Sequence, residues 1–289
     1  MKPLPTLSPA PPWRAAVREV GHWLGKAPRS ALLELIARFG FVARGLVYLS
    51  VGVLALLAAL DLTPRAGGAV AAVAAWGRWP AGLLLIWLCA TALLCFAVWR
   101  GVQSILDADG HGRSAKGLFI RVGQATSGVA HALLAWSLYE VLDGLDDLNE
   151  RGDDAREMAA QALALPYGDW LLLGAGGVIL AFGIGSVAQG IFQAFAKRLG
   201  CSARACRWAV VLARTGYVGR GLSFAPMGWL VLRAGLEARS AGVEDFAGAL
   251  QSLEGQPFGS LLLGAAALGL LAFGAFALFE AAWRRIEAP

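Results

Sequence analysis

Residues 38–48 of the chain read Arg-Phe-Gly-Phe-Val-Ala-Arg-Gly-Leu-Val-Tyr, and a related segment occurs twice more along the sequence. Residues 121–131 read Arg-Val-Gly-Gln-Ala-Thr-Ser-Gly-Val-Ala-His, and residues 214–224 read Arg-Thr-Gly-Tyr-Val-Gly-Arg-Gly-Leu-Ser-Phe. Each segment opens with an arginine and carries glycines two and seven positions later. The nine shared positions are Arg38, Gly40, Gly45, Arg121, Gly123, Gly128, Arg214, Gly216 and Gly221. Self-similarity of this kind is the sequence signature of a repeat architecture.

A second set of shared positions follows each segment at nearly constant spacing. It consists of a proline, a glycine two residues later, a phenylalanine sixteen residues after the proline, and a glutamine or glutamate seven residues further on. The prolines are Pro80, Pro166 and Pro257, and the phenylalanines are Phe96, Phe182 and Phe273. Two sets of positions that recur three times in register predict three tandem units.

The composition indicates that much of the chain is solvated by lipid. Of 289 residues, 57% are hydrophobic and only 16% are charged, whereas soluble domains carry about 25% charged residues. Four stretches contain no charged side chain at all: residues 79–99, 122–139, 170–196 and 255–279. A helix needs about 20 such residues to cross the hydrocarbon core. Two further apolar segments, 40–60 and 216–236, carry arginines only near their ends, so we expect six membrane-spanning helices.

The predicted fold is therefore all-α: a polytopic membrane protein of three tandem helical hairpins. A unit of two spans returns the chain to its starting side, so the units should be related by pseudo-threefold rotation about the membrane normal. We divide the chain into a cytoplasmic tail with an interfacial amphipathic helix (1–36), repeat 1 (37–106), repeat 2 (107–196) and repeat 3 (197–289), the last including a preceding cytoplasmic loop and a C-terminal tail. The spans are expected at about 40–61, 80–103, 122–141, 169–195, 215–236 and 258–282.

Charged loops predict the orientation of the spans. With the N-terminus inside, all but six of the 25 basic side chains lie on the cytoplasmic side. The exceptions are Arg65, Arg78, Arg151, Arg156, Arg233 and Arg239. The positive-inside rule then places both termini in the cytoplasm and the protein in a bacterial inner (plasma) membrane. The expected partners are the bilayer and its anionic inner-leaflet headgroups; the net charge of +5 does not indicate nucleic-acid binding, and protein partners stay open.

The repeats resemble a known family of bacterial integral membrane proteins built from three copies of a two-helix domain of unassigned function. Residues 37–48 carry the resemblance in the first copy. The third copy matches best, through residues 214–221, 256–259 and 279–285. The middle copy departs from its sisters, because Ser127 stands where they have an arginine. The resemblance implies a topology over about residues 37–286 and supplies no substrate.

Polar side chains inside the predicted spans are the candidate functional residues, because burying a charge in lipid is costly. Arg44 and Arg220 each lie six residues past the opening arginine of their copy, roughly 9 Å deeper into the bilayer. We expect an inner-leaflet polar cluster of Arg44, Arg220, Glu280, Gln103 and Gln189, in which Glu280 neutralises one arginine. Two interpretations stay open: an anion or proton site near the pseudo-axis, or arginines that reach headgroups and hydrogen-bond between helices.

His131 completes the candidate cluster. It lies ten residues past Arg121, or ~15 Å along its helix, which places it close to the middle of the bilayer. It replaces Tyr48 of the first copy and Phe224 of the third, which favours an aromatic packing position with one hydrogen bond. A proton relay is the alternative, although no second titratable group is evident at the same depth.

The sequence predicts no enzyme, cofactor or metal site. The four cysteines are scattered, and Cys201 and Cys206 fall in a predicted cytoplasmic loop where thiols stay reduced, so no disulfide is expected. Two functions of different classes remain. The first is a structural or interaction protein with a closed centre and charged loops that recruit partners. The second is a small-solute or ion channel or carrier with a path along the pseudo-axis, lined by Arg44, Arg220, Glu280 and His131.

Overall fold

A computed structural model describes residues 29–63, 68–143, 151–192, 195 and 199–285. The part of the predicted N-terminal tail before Arg29, with its interfacial helix, lies outside these residues. Nine α-helices and one short 3-10 helix make up the described chain. The helices are α1 (Arg29–Ala59), α2 (Ala69–Ala74), α3 (Gly82–Leu106), α4 (Ala115–Asp143), α5 (Arg151–Leu163), α6 (Gly168–Phe192), α7 (Ala203–Glu237), α8 (Phe246–Glu254) and α9 (Gly259–Trp283).

The elements follow one order three times: a long helix, a short helix, then a second long helix. The 3-10 helix, Ala75–Arg78, extends the short α2. The second long helices begin at Gly82, Gly168 and Gly259, two residues after the repeated prolines. At each of these glycines a Cβ atom would collide with a backbone carbonyl oxygen of the short helical segment before it. The repeated glycine is therefore required by the tight turn into each second helix.

Four of the six long helices are long and apolar enough to cross a membrane: Glu34–Ala59 within α1, together with α3, α6 and α9. The other two predicted spans, in α4 and α7, lie within long helices but do not meet this criterion. Polar side chains within the apolar segments lower their mean hydropathy: Gln124, Ser127 and His131 in α4, and Arg220 in α7. The helices α1, α4 and α7 also begin well before the predicted spans, because their charged first turns continue the helix beyond the apolar segment.

The long helices pack in a cyclic order. The second helix of each repeat contacts the first helix of the next repeat: α3 on α4, α6 on α7, and α9 back on α1. Within repeats, α1 packs on α3 and α7 packs on α9. In the middle repeat, α4 and α6 make almost no contact among the described residues. Among the long helices these contacts form one series, α4–α3–α1–α9–α7–α6, whose two end helices belong to the middle repeat.

Candidate functional site

A buried ion-pair chain joins the last helix to the first. Arg44 on α1 is 2% exposed, and its Nη2 donates to Oε2 of Glu280 on α9 at 2.7 Å. Nη1 of Arg284 donates to the other carboxylate oxygen of Glu280 at 2.6 Å. Glu280 thus receives a hydrogen bond from two arginines, one on each oxygen. The carboxylate stabilises two guanidinium groups and closes repeat 3 onto repeat 1.

Aromatic rings enclose the Arg44 guanidinium. Its Cζ atom lies 5.1 Å from the ring centre of Phe41 and 5.0 Å from those of both Phe96 and Phe273. Arginine over an aromatic face within about 6 Å gains a cation–π attraction that strengthens when water is excluded. Part of the cost of burying this charge is therefore offset by rings from three different helices.

Arg220 is the repeat-related arginine, and it has a similar environment. It is 5% exposed and stacks on Phe182, Tyr217 and Phe273 at 4.9, 5.0 and 4.2 Å. Instead of a carboxylate it binds the hydroxyl of Ser186, to which Nε and Nη2 donate at 2.9 and 2.6 Å. Phe273 contacts both arginines. The repeated phenylalanines therefore supply rings to the two equivalent buried arginines, Arg44 and Arg220.

Asp109, in the loop between α3 and α4, extends the cluster on its other side. Its Oδ2 accepts from Nε2 of Gln103 at 2.8 Å and from Nε2 of Gln124 at 2.9 Å. Its Oδ1 lies 3.8 Å from Nη2 of Arg284. Gln103 in turn accepts from Arg100 at 3.2 Å. Sequence reasoning missed Asp109, although two carboxylates, Asp107 and Asp109, in a loop predicted to be cytoplasmic were a usable signal.

Asp107 shapes the loop that presents Asp109. Its backbone is left-handed, with φ of 54°, and it ends α3. Its carboxylate accepts from the backbone N–H of Gly112 at 2.7 Å and of His111 at 2.8 Å. These hydrogen bonds, that from Gly112 first, lower the pKa of Asp107 below its ordinary value. The loop is thus fixed by the ionised carboxylate.

Two predicted members of the polar cluster lie outside the ion-pair chain. Gln189 is exposed on α6. His131 has its Nδ1 2.7 Å from the carbonyl oxygen of Ser127, and its ring meets Phe96 edge to face at 4.8 Å. This environment is the aromatic packing position with one hydrogen bond that the sequence comparison of the repeats favours.

The opening arginines of two repeats hold the ends of neighbouring helices. Arg38 on α1 donates to the carbonyl oxygens of Ala281 and Ala282 at the end of α9. Arg121 on α4 donates to those of Ser104 and Ile105 at the end of α3, at 2.7 and 2.9 Å. The last carbonyls of a helix lack partners within the helix and carry partial negative charge, which a guanidinium satisfies. These two arginines therefore link repeat 1 to repeat 3 and repeat 2 to repeat 1.

The middle repeat differs from the other two at its first glycine. A Cβ atom on Gly40 would lie 2.5 Å from Cβ of Phe96, and one on Gly216 would lie 2.5 Å from the backbone of Phe273. At Gly123, the equivalent position, nothing lies within 4 Å. In repeats 1 and 3 the helices of the hairpin touch at this glycine, whereas in repeat 2 they are apart. Ser127 replaces the arginine in that same repeat, so it lacks the arginine contact that joins the other hairpins.

The expectation of reduced thiols at Cys201 and Cys206 is wrong for this structure, which joins them in a disulfide with a Cα–Cα distance of 5.6 Å. The two residues lie on either side of Ser202, which caps α7. The start of α7 folds Cys206 back towards Cys201, an approach that sequence spacing alone does not reveal. Among the described residues no three His, Cys, Asp or Glu side chains are grouped to hold a metal ion.

Comparison with known proteins identifies the repeat. The model of a domain of unknown function, DUF1206, matches the chain three times in tandem, at residues 39–107, 122–193 and 215–284. The uncharacterized protein YxxB of Bacillus subtilis (strain 168) is 30% identical over 259 residues, which span 88% of this chain and 92% of that protein. No solved structure matches the chain.

Proposed function

The chain belongs to the DUF1206 family of unknown function, and we propose that it is an integral membrane protein with a structural or interaction role. In this proposal all six long helices span the bacterial inner membrane, and both termini lie in the cytoplasm. The three hairpins are related by a pseudo-threefold axis, and the charged loops are available to partners. The protein carries out no enzymatic chemistry and needs no cofactor.

The observation that carries this proposal is the filling of the centre. The side chains that a permeation path would use are paired and enclosed: Arg44 with Glu280 and three rings, Arg220 with Ser186 and three rings. A channel needs polar groups that face water rather than one another. Pairing and aromatic enclosure of these groups are typical of a structural core.

The cyclic packing supports the proposed symmetry. Each second helix contacts the first helix of the following repeat, and α9 returns to α1, so the three interfaces between repeats are equivalent in order. Repeats with the same membrane orientation, related about the membrane normal, pack in this way. Two equivalent arginines, Arg38 and Arg121, make the same contact at two of these interfaces.

A small-solute or ion channel along the pseudo-axis is the second candidate function. One observation favours it: three N–H groups at the cluster, Nε of Arg44, Nε1 of Trp99 and Nε of Arg100, are buried without a partner among the described residues. The cluster also contains more guanidinium than carboxylate groups. Unpaired donors in a cationic site suit the passage of an anion.

Flux through reconstituted protein distinguishes the two functions. We expect proteoliposomes that hold the purified full chain to leak chloride and protons no faster than protein-free liposomes of the same lipids. The measurement uses a chloride-sensitive dye and a pH-sensitive dye trapped inside the vesicles. A flux well above the protein-free rate that disappears in Arg220→Gln would overturn the structural role and establish the channel. Arg207→Gln, a neutralised and exposed arginine on the same helix, is the matched control.

A further inference from the structure

Arg214 departs from its two repeat-related arginines. Arg38 and Arg121 each donate to carbonyl oxygens at the end of the neighbouring helix. By the same register, Arg214 on α7 should reach the carbonyls of Gly190 and Ile191 on α6. It makes neither contact. Among the residues the structure describes it has no hydrogen bond or ion pair, and its side chain is exposed.

Arg214 instead lines a groove between α6, α7 and α9. The groove has a volume of about 570 Å³, within the ~300–1,000 Å³ that ligand pockets occupy. Its apolar lining comes from α6, α7 and α9 and includes Ile191, Val218, Leu222 and Ala265. Arg214 and Thr215, neighbours in the first half of α7, are its polar lining residues.

The floor of the groove exists because two backbones meet there. A Cβ atom on Gly269 of α9 would lie 2.5 Å from Cα of Gly219 on α7. Both glycines belong to the lining. Two helices that cross at glycine leave no side chains over the crossing point, so the surface there is concave.

We propose that this groove binds one membrane phospholipid with an anionic headgroup. The acyl chain lies along Val218, Leu222 and Ala265, and the phosphate accepts hydrogen bonds from the Arg214 guanidinium and the Thr215 hydroxyl. The proposal rests on the proposed membrane location, in which the positive-inside rule places Arg214 at the inner leaflet.

The chemistry of the groove selects an amphiphile. A lining that is apolar throughout except for two polar neighbours matches a molecule with a hydrocarbon tail and a single polar head. The charge of the unpartnered arginine matches a phosphate that carries a net negative charge, and anionic lipids are concentrated in the cytoplasmic leaflet. A zwitterionic lipid has the same tail, but its own cationic group repels the Arg214 guanidinium and weakens the attraction to the phosphate.

Native mass spectrometry of the full chain in detergent, titrated with phosphatidylglycerol, tests the proposal. We expect one tightly held lipid per chain. Arg214→Gln should weaken its binding about tenfold or more, as for loss of a charge-assisted hydrogen bond. Arg207→Gln, an exposed arginine two turns earlier on the same helix, should leave binding unchanged. Ala265→Phe should fill the groove and remove the lipid, whereas Leu261→Phe, exposed on the same helix outside the groove, should not.

Several results would overturn the lipid site. One is equal binding by Arg214→Gln and the unaltered chain; another is equal affinity for phosphatidylcholine and phosphatidylglycerol. Displacement of the lipid by inorganic phosphate would identify a free-anion site instead. A dimer that Ala265→Phe dissociates, without bound lipid, would show that a second copy covers the groove. Failure of the proposed membrane location can be distinguished from failure of the lipid site, because the chain would then purify without detergent before any lipid is added.

Discussion

Glu280→Gln is expected to destabilise the protein more than any other single charge neutralisation. The substitution leaves Arg44, which is 2% exposed, without its carboxylate partner, and it removes the stronger partner of Arg284. Breaking a buried pair by removing one partner costs about 3–5 kcal/mol. For a chain of this size that corresponds to a fall of roughly 6 °C or more in the thermal midpoint, measured in detergent by circular dichroism.

Glu237→Gln is the matched control for this prediction. Glu237 accepts from Arg233 four residues earlier at 2.6 Å, just as Glu280 pairs with Arg284 four residues later, but both partners are exposed. Exposed pairs of this kind contribute about 0–1 kcal/mol. Equal shifts in the two variants would contradict the buried cluster. If Glu280→Gln fails to accumulate, the double variant Arg44→Met with Glu280→Leu should restore part of the yield, because it removes both buried charges.

Alanine at the three equivalent glycines should have effects of opposite sign. In Gly216→Ala the new Cβ would lie 2.5 Å from backbone atoms of Phe273, so α7 and α9 must separate. Overpacking of this kind costs about 1–3 kcal/mol, and Gly40→Ala should behave alike against Phe96. Gly123→Ala meets nothing within 4 Å and should gain about 0.5–1 kcal/mol from helix propensity. Thermal midpoints of the three variants provide the measurement.

The three variants control for one another, because the substitution and its position in the repeat are the same each time. They differ only in whether the two long helices of that repeat touch. Equal destabilisation at Gly123 and Gly216 would mean that α4 and α6 are packed as closely as α7 and α9. That result would contradict the separation of the two long helices in repeat 2.

The repeat could be predicted from the sequence because its shared positions are set by contacts that recur. Each shared residue type is restricted by its surroundings. The phenylalanine of each second helix packs on an arginine, and the glycine after each proline has no space for a Cβ atom. The Arg44 and Glu280 pairing was also accessible, since two opposite charges at similar depth in lipid need each other.

What the sequence could not reveal depends on how the helices are arranged. Asp109 joins the cluster only because its loop brings it within 3.8 Å of Arg284 at the end of α9, and loops carry no periodic signal. Gln189 looks equivalent to Gln103, yet it is exposed because α6 lacks the neighbour that α3 has in α1. The disulfide between Cys201 and Cys206 depends on the cap of α7, which Ser202 forms by accepting from the backbone N–H of Ala205.

The number of membrane spans differs between two ways of counting them, by the length and hydropathy of each helix or by the threefold repeat. Four helices meet the length and composition criterion, whereas three like-facing hairpins require six. The two counts give opposite sides for the loop after α4 and for the loop after α6. If α4 and α7 do not cross the membrane, the chain stays inside after α4 and is outside after α6.

Reporter fusions at Asn149 and Ser202 therefore test the central claim most directly. An alkaline phosphatase and a green fluorescent protein fusion are made at each position, since the first is active only outside and the second fluoresces only inside. We expect Asn149 outside and Ser202 inside. Asn149 inside together with Ser202 outside would establish four spans and contradict the three like-facing hairpins.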